Sequence, residues 1–327
     1  MLVLITGATG FIGSHLAEAL HGKGYKLRVI VRKTSNRRWI EHLPIEYLVG
    51  DLHDESLLRK AVEGVDYIYN LAGVTKARNE AEYFRNNYEA TRNLLTVALT
   101  HNTGMKRFVH ISSQTVSGPS RGGKPVDEEM PCQPITAYGR SKLEAEKECL
   151  KLMDKLPITI VRPPAVYGPR DRDIFEFFKT MDKGIHPLIG FSDTYVSLIH
   201  VRDLVNGILL AGEHEKSVGS TYFIASERYY NWKEVGEITS KIMQKRVIRV
   251  RVPVTLVYGI SVIAEIASFF SRKPALLNIE KARDIVQRAW TCSIEKARRE
   301  LGYREGLTIE EGVRDTVTWY REHGWLK

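Results

Sequence analysis

Tyr138 and Lys142 stand one helical turn apart in Tyr138-Gly139-Arg140-Ser141-Lys142, so on a helix their side chains share a face. A free tyrosine titrates near pH ~10, too high for acid/base work at neutral pH, and a neighbouring ammonium favours the phenolate and lowers that value. Upstream, the apolar run Val109-His110-Ile111 ends in two hydroxyls, Ser112 and Ser113, either of which can hold a substrate oxygen beside the phenol. A third group of residues is Thr6-Gly7-Ala8-Thr9-Gly10-Phe11-Ile12-Gly13, directly after the short apolar run Leu2-Val3-Leu4-Ile5. Gly7 permits a tight turn, Gly10 lets backbone approach a pyrophosphate, and Gly13 allows close packing of helix on strand. The helix that follows offers free N–H groups and a positive dipole end to phosphate. A Tyr-x-x-x-Lys pair alone usually marks an exposed helix face, and a lone glycine triplet is often only a turn. Their order along this chain favours a dinucleotide site with a tyrosine acid/base beside it.

Positioning these groups requires alternating strands and helices. The first half predicts strands at Leu2–Ile5, Leu27–Val31, Ile45–Val49, Tyr67–Leu71, Arg107–Ile111 and Ile158–Val161. Helices are expected from about Ile12 to Gly22 and at Glu55–Val62, Glu82–Thr100 and Tyr138–Lys155. Such alternation implies parallel strands joined by right-handed crossovers, hence an α/β fold with a doubly wound parallel Rossmann sheet. After Pro164 the rhythm changes. Val196–His200 and Val201–Ala211 read as a strand and a helix able to return to the main sheet, and the remainder is mostly helical. The expected division is a dinucleotide-binding domain over 1–165 with a returning segment about 196–215. Residues 166–195 and 216–327 would form a smaller, mostly helical C-terminal substrate lobe.

Bulk properties narrow the partners. The chain has 327 residues and a net charge of +9, but its basic residues are scattered and no nucleic-acid motif occurs, which disfavours nucleic acid. Three cysteines, an odd number without a Cys-x-x-Cys pair, argue against a disulfide framework or zinc site and fit a reducing cytoplasm. The ten histidines show no ligand spacing, so no metal is expected. The N-terminal apolar run is too short for a signal peptide and reads as a buried strand.

The Gly-x-x-Gly-x-x-Gly spacing and the form Gly10-Phe11-Ile12-Gly13 resemble the extended branch of the short-chain dehydrogenase/reductase family. So do Gly50-Asp51-Leu52, Asn70-Leu71-Ala72-Gly73, and Asn87, Thr91 and Asn93 with Ala90 where that pattern has glycine. Ser112-Ser113, Tyr138-x-x-x-Lys142, Arg162-Pro163 and His200-Val201-Arg202-Asp203 follow in the family's order. The resemblance spans essentially the whole chain. It implies that Tyr138 exchanges a proton with the substrate while nicotinamide C4 exchanges a hydride, with Lys142 beside the nicotinamide ribose. It selects Ser113 over Ser112, because Gln114-Thr115-Val116-Ser117-Gly118 follows it. The implied cofactor contacts are Gly7, Thr9, Gly10, Phe11, Ile12, Gly13, Asp51, Leu52, Leu71, Ala72, Gly73, Asn87, Tyr138, Lys142 and Pro163. Asn87 also fits a satisfied buried amide. A homodimer through the helices at Glu82–Thr100 and Tyr138–Lys155 is implied too.

The second strand ends Val31-Arg32-Lys33-Thr34-Ser35 with no carboxylate to accept from ribose hydroxyls. Arg32 is placed to pair with a 2′-phosphate, assisted by Lys33 or Ser35, which favours NADP(H) over NAD(H). Nucleotide-sugar members carry an arginine before the returning strand that clamps a diphosphate, and this chain has Val196 there; Arg170, Arg172 or Arg202 would have to substitute. The C-terminal half, with Trp290, Lys296-Ala297-Arg298, Leu301-Gly302-Tyr303 and Trp319 to Trp325, is closer in style to 3β-hydroxysteroid dehydrogenases and dihydroflavonol reductases. A further feature is the apolar stretch 252–270 with basic flanks. It is too short for a secure membrane span. It reads either as a buried helix of the small lobe or as a helix lying in a membrane interface. The expected function is NADP(H)-dependent interconversion of a ketone and a secondary alcohol on an apolar or ring substrate. The alternatives are a nucleotide-sugar epimerase or dehydratase that retains its cofactor, and a non-catalytic dinucleotide-binding subunit or regulator.

Overall fold

The computed structural model describes residues 1–269 and 278–327. Its first half runs β1 (Leu2–Thr6), α1 (Phe11–Gly22), β2 (Lys26–Val31), β3 (Ile45–Val49), α2 (Glu55–Val62) and β4 (Tyr67–Asn70). It continues through α3 (Glu80–Tyr83), α4 (Ala90–His101), β5 (Arg107–Ile111), α5 (Ala137–Lys151) and β6 (Ile158–Arg162). The second half contains β7 (Ala165–Tyr167), α6 (Phe175–Asp182), β8 (Ile185–Ile189), β9 (Tyr195–Val196), β10 (Leu198–His200), α7 (Val201–Glu213) and β11 (Ser220–Phe223). β12 (Tyr230–Asn231), α8 (Trp232–Met243), β13 (Ile248–Val252), α9 (Val254–Phe269), α10 (Ile279–Ile285), β14 (Ala289–Trp290), α11 (Glu295–Leu301) and α12 (Ile309–Glu322) complete it.

The main sheet has seven parallel strands in the order β11-β6-β5-β4-β1-β2-β3. Burial of both faces explains the uninterrupted apolar strands. In β1, Val3 and Ile5 pack with α1 and α7 on one face, and Leu4 packs with α2 and α4 on the other. All three are fully buried, each worth about 1.5–3 kcal/mol relative to exposure. The chain order reverses between β1 and β4, which opens a crevice at the strands' C-terminal ends where such sheets bind ligands. A separate core, including Phe178, Met181, Val235, Val313 and Tyr320, holds the smaller C-terminal lobe.

Four elements differ from the sequence reading. Val196–His200 does not join the main sheet. Ser197 breaks it, its N–H donating to Trp290 O at 2.7 Å and its hydroxyl accepting from Cys292 N at 3.0 Å. β9 therefore pairs with β12 and β14, and β10 with β7. The seventh strand is β11 instead, a run of small and aromatic residues with little periodicity. α7, by contrast, does pack on the main sheet. The helix expected at Glu82–Thr100 starts at Glu80 and carries one wider π-helical turn, Phe84–Glu89, between α3 and α4. Finally, α9 is not the buried helix of the small lobe: Leu256 (52% exposed), Ile260, Val262, Ile263 (70%) and Ile266 face outward. Among the described residues, no helix is long and apolar enough to cross a membrane.

Candidate active site

The glycine loop is built to be approached. Gly7 sits at φ +74°, and a Cβ there would lie 2.9 Å from Ala72 N. A Cβ on Gly13 would lie 2.2 Å from Gly7 O, so α1 packs directly on the turn. Gly10 caps α1 without any side-chain acceptor, leaving the first-turn N–H groups open to an anion. Thr9, Phe11 and Ile12 are half-buried around it. The segment after β4 lies against this loop, with Leu71 N donating to Thr6 O at 3.3 Å and Ala72 N to Thr6 Oγ1 at 3.1 Å. A dinucleotide fits this cradle, because the positions nearest the turn have no room for a side chain.

Asn87 proves to be a structural amide. It accepts from Val74 N (2.7 Å) and donates to Val74 O (3.1 Å) and Ser141 Oγ (2.9 Å). It thereby ties the segment after Gly73 to α5, and the π turn sets its position. No sequence signal marked that turn, although such turns cluster at functional sites. Asp51 and Leu52 follow β3, with Asp51 accepting from His53 N at 3.0 Å.

At the end of β2, Arg32 and Lys33 are exposed, and Ser35 Oγ accepts from Arg32 N at 3.0 Å. Arg37 lies over the Tyr47 ring at 4.6 Å and Arg38 over Trp39 at 4.0 Å. The Arg32 guanidinium has no such partner among the described residues.

Ser113, Tyr138 and Lys142 converge at the C-terminal end of β5. Ser113 Oγ accepts from Thr115 N (3.2 Å) and Thr115 Oγ1 (2.9 Å), so its own hydrogen is left to point elsewhere. Its hydroxyl also meets the Tyr138 side chain. Ser112, the competing serine, is buried with no partner for its hydroxyl among the described residues. Pro163 is buried and accepts from Gln114 N at 2.8 Å, which fixes the turn that aims Ser113.

α5 begins at Ala137 under a Thr136 cap. It puts Lys142 in the interior, where Nζ donates to Ile111 O at 2.6 Å. An ammonium has three donors, so two remain for a ribose. Burial lowers the Lys142 pKa to about 8, opposed by Glu146 one turn on. Glu146 is itself held by Arg162 through bonds of 2.6 and 2.9 Å. Sequence reading singled out neither member of this pair as a partner of the lysine.

Tyr138 departs from the expected direction: burial pushes its phenol up to about 12, and the bond with Ser113 only partly offsets this. Asp284 and Asp173 push it up further. Lowering it requires added positive charge, which an oxidised nicotinamide would bring. At neutral pH the phenol is therefore protonated.

The arginines that would have to clamp a diphosphate are engaged elsewhere. Arg170 donates to Ser14 Oγ (3.0 Å) and Glu18 (2.6 Å), Arg202 to Asp315 (2.7 Å), and Arg172 lies over Trp325 at 5.7 Å. Val196 is buried within its short sheet.

A Rossmann sheet with a glycine cradle at its switch point, and a serine, tyrosine and lysine at the neighbouring strand end, defines an NAD(P)-dependent enzyme of the oxidoreductase type. Comparison with known proteins agrees. The model of the family described as "NAD dependent epimerase/dehydratase family" matches residues 3–225. The chain is 30% identical to a sterol demethylase protein B of Methylococcus capsulatus, covering 100% of both proteins. It is 28% identical to a ceramide reductase of Caulobacter vibrioides, covering 99% of this chain and 96% of that protein. A UDP-glucuronic acid 4-epimerase from Bacillus cereus shares the fold, with a TM-score of 0.79 at 23% identity over 99% of this chain and 100% of that one. The chain belongs to the NAD dependent epimerase/dehydratase family.

Proposed function

We propose that this protein is an NADP(H)-dependent reductase or dehydrogenase that interconverts a ketone and a secondary alcohol on a lipophilic substrate. The observation that carries this reading is the convergence of Ser113, Tyr138 and Lys142 beside the glycine cradle. Bound NADPH supplies the hydride. Ser113 holds the carbonyl oxygen, and Tyr138 Oη gives it the proton as the carbon is reduced. Lys142, anchored on Ile111 O, orients the ribose and supports the resulting phenolate. Gly7, Thr9, Gly10, Phe11, Ile12 and Gly13 bind the pyrophosphate. Asp51 and Leu52 would hold the adenine end, and Leu71, Ala72, Gly73 and Pro163 would line the rest of the cofactor. Asn87 acts by holding the 73–74 segment rather than by chemistry.

Arg32, with Lys33 and Ser35, selects the 2′-phosphate. The relatives named as acting on sterols and ceramide support an apolar substrate, as does the buried Val196. In this reading residues 1–165 with the returning α7 and β11, Val201–Phe223, hold the cofactor, while the remainder, including the diverted Val196–His200, holds the substrate. A homodimer through α4 and α5 gives a dimeric mass by light scattering. Contact of 252–270 with a membrane surface is supported by the outward apolar residues of α9 and by Arg246, Arg249 and Arg251 beside it.

The deciding experiment is NADPH oxidation by the purified protein with apolar ketones and with nucleotide-linked keto sugars. Apolar ketones are turned over, and Tyr138→Phe loses at least about a thousandfold in kcat, removing the proton donor, while its NADPH Kd stays within about twofold. Turnover that survives Tyr138→Phe, or that is confined to keto sugars, refutes the proposal.

A further inference from the structure

Two buried aspartates, Asp171 and Asp203, and the half-buried Asp284 have carboxyl groups driven toward the neutral form by burial, and they are not equivalent. Asp171 accepts from Asp173 N (2.9 Å) and Ile174 N (2.8 Å), and Asp203 from Gly306 N (3.0 Å) and Leu307 N (3.2 Å). Both therefore staple backbone. Asp284 does not: its Oδ1 is buried with no hydrogen-bond partner among the described residues. Asp182 and Asp315 also have an oxygen lacking a hydrogen bond, but each is in an ion pair, with Lys245 at 3.1 Å and Arg202 at 2.7 Å. Leaving a buried acceptor empty is costly, so an oxygen of this kind calls for a donor from outside the fold.

Its surroundings say which donor. α10, which carries Asp284, is docked on the catalytic helix, Glu280 accepting from Ala137 N next to Tyr138. The Asp284 charge acts on the phenols of both Tyr138 and Tyr83, whose rings lie 6.1 Å apart. Val74, Ala77, Tyr83 and Ala137 form an apolar wall around Tyr138. The Asp284 backbone is fixed as well, its carbonyl accepting from Trp290 Nε1 at 2.8 Å.

We propose that Asp284 is the acceptor for an O–H or N–H group that the substrate carries next to its reacting carbonyl. This rests on the reductase reading and narrows its substrate to neutral, lipophilic ketones with an adjacent hydroxyl or amide. An anionic group at that place would meet the Asp284 charge beside the apolar wall around Tyr138.

The test uses 1-hydroxydodecan-2-one and dodecan-2-one, which differ only in the donor, with wild type, Asp284→Ala and Asp284→Asn. Two readouts are taken: kcat and KM for NADPH oxidation, and the thermal shift each probe produces on the NADP+-loaded protein. Wild type should prefer the hydroxyketone by about tenfold or more in kcat/KM, as one charge-assisted hydrogen bond allows. In Asp284→Ala that ratio falls to near one, chiefly through KM, and the extra thermal shift from the hydroxyketone disappears. Asp284→Asn, which keeps an acceptor oxygen, restores part of both. If Asp284→Ala changes both probes equally, or neither, the carboxylate is structural and the proposal is overturned. Absence of NADPH oxidation by wild type would refute the reductase reading, while the thermal shifts would still report on Asp284.

Discussion

Replacing Arg32 with alanine should weaken NADPH without weakening NADH. The magnitude follows from the local geometry. Arg32 leaves the end of β2 into solvent, and among the described residues no carboxylate or ring engages its guanidinium, so its removal breaks no internal pair. What is lost is one charge-assisted contact to the 2′-phosphate. Such contacts contribute about 1.5–3 kcal/mol. Because the site is exposed and screened, the lower part of that range applies, about 1.5–2 kcal/mol, or roughly ten- to thirtyfold. The Arg32→Ala protein should therefore lose about that factor in the kcat/KM ratio for NADPH over NADH, with nearly all of it in the NADPH KM. Arg37→Ala and Arg38→Ala serve as controls. Their guanidinium groups are occupied by Tyr47 and Trp39 at 4.6 and 4.0 Å, so each should move the ratio by less than about threefold. Direct titration of cofactor fluorescence gives the same comparison without turnover. A ratio unchanged in Arg32→Ala, or a larger fall in Arg38→Ala, would show that the 2′-phosphate is not read at the end of β2.

Lys142 gives a pH-dependent prediction. Its pKa in the fold, about 8, lies below its ordinary 10.5, so the folded state binds fewer protons than the unfolded chain between those values. Stability from this group therefore rises with pH across that window, and below pH 8 its burial costs about 3 kcal/mol. Lys142→Met should raise the melting temperature at pH 7, with the difference fading by about pH 10, while abolishing activity. Equal stabilisation at both pH values would contradict the assigned cause. At the other lobe, Leu256→Glu with Ile263→Glu should reduce sedimentation with anionic vesicles severalfold yet leave turnover of a water-soluble ketone unchanged. Wild-type protein that stays in the supernatant with anionic vesicles would remove the membrane contact.

Much of this protein is written locally. The glycine loop is legible because its constraints are local: Gly7 must take a positive φ and Gly13 has no space for a Cβ, whatever the rest of the chain does. Arg107–Ile111 and Ile45–Val49 coincide with the observed strands because both are short runs rich in β-branched and aromatic residues, the first buried throughout and the second a partly exposed edge strand. The Tyr138 and Lys142 spacing survives because a helix fixes it.

Other features had no local signature. Ser220–Phe223 enters the sheet because an edge position beside β6 was open to it, and Val196–His200 is diverted by the hydrogen bonds of Ser197 to residues about a hundred positions away. Burial, rather than the neighbouring lysine, sets the direction in which the Tyr138 phenol shifts. The ion pair of Glu146 with Arg162, the π turn that aims Asn87, and the empty oxygen of Asp284 all depend on partners brought together from distant segments. The sequence by itself determined the residue types of the candidate site and their order along the chain. Only the tertiary structure decided their protonation, their free donors and which arginines remain available, because burial and pairing are properties of neighbours in space.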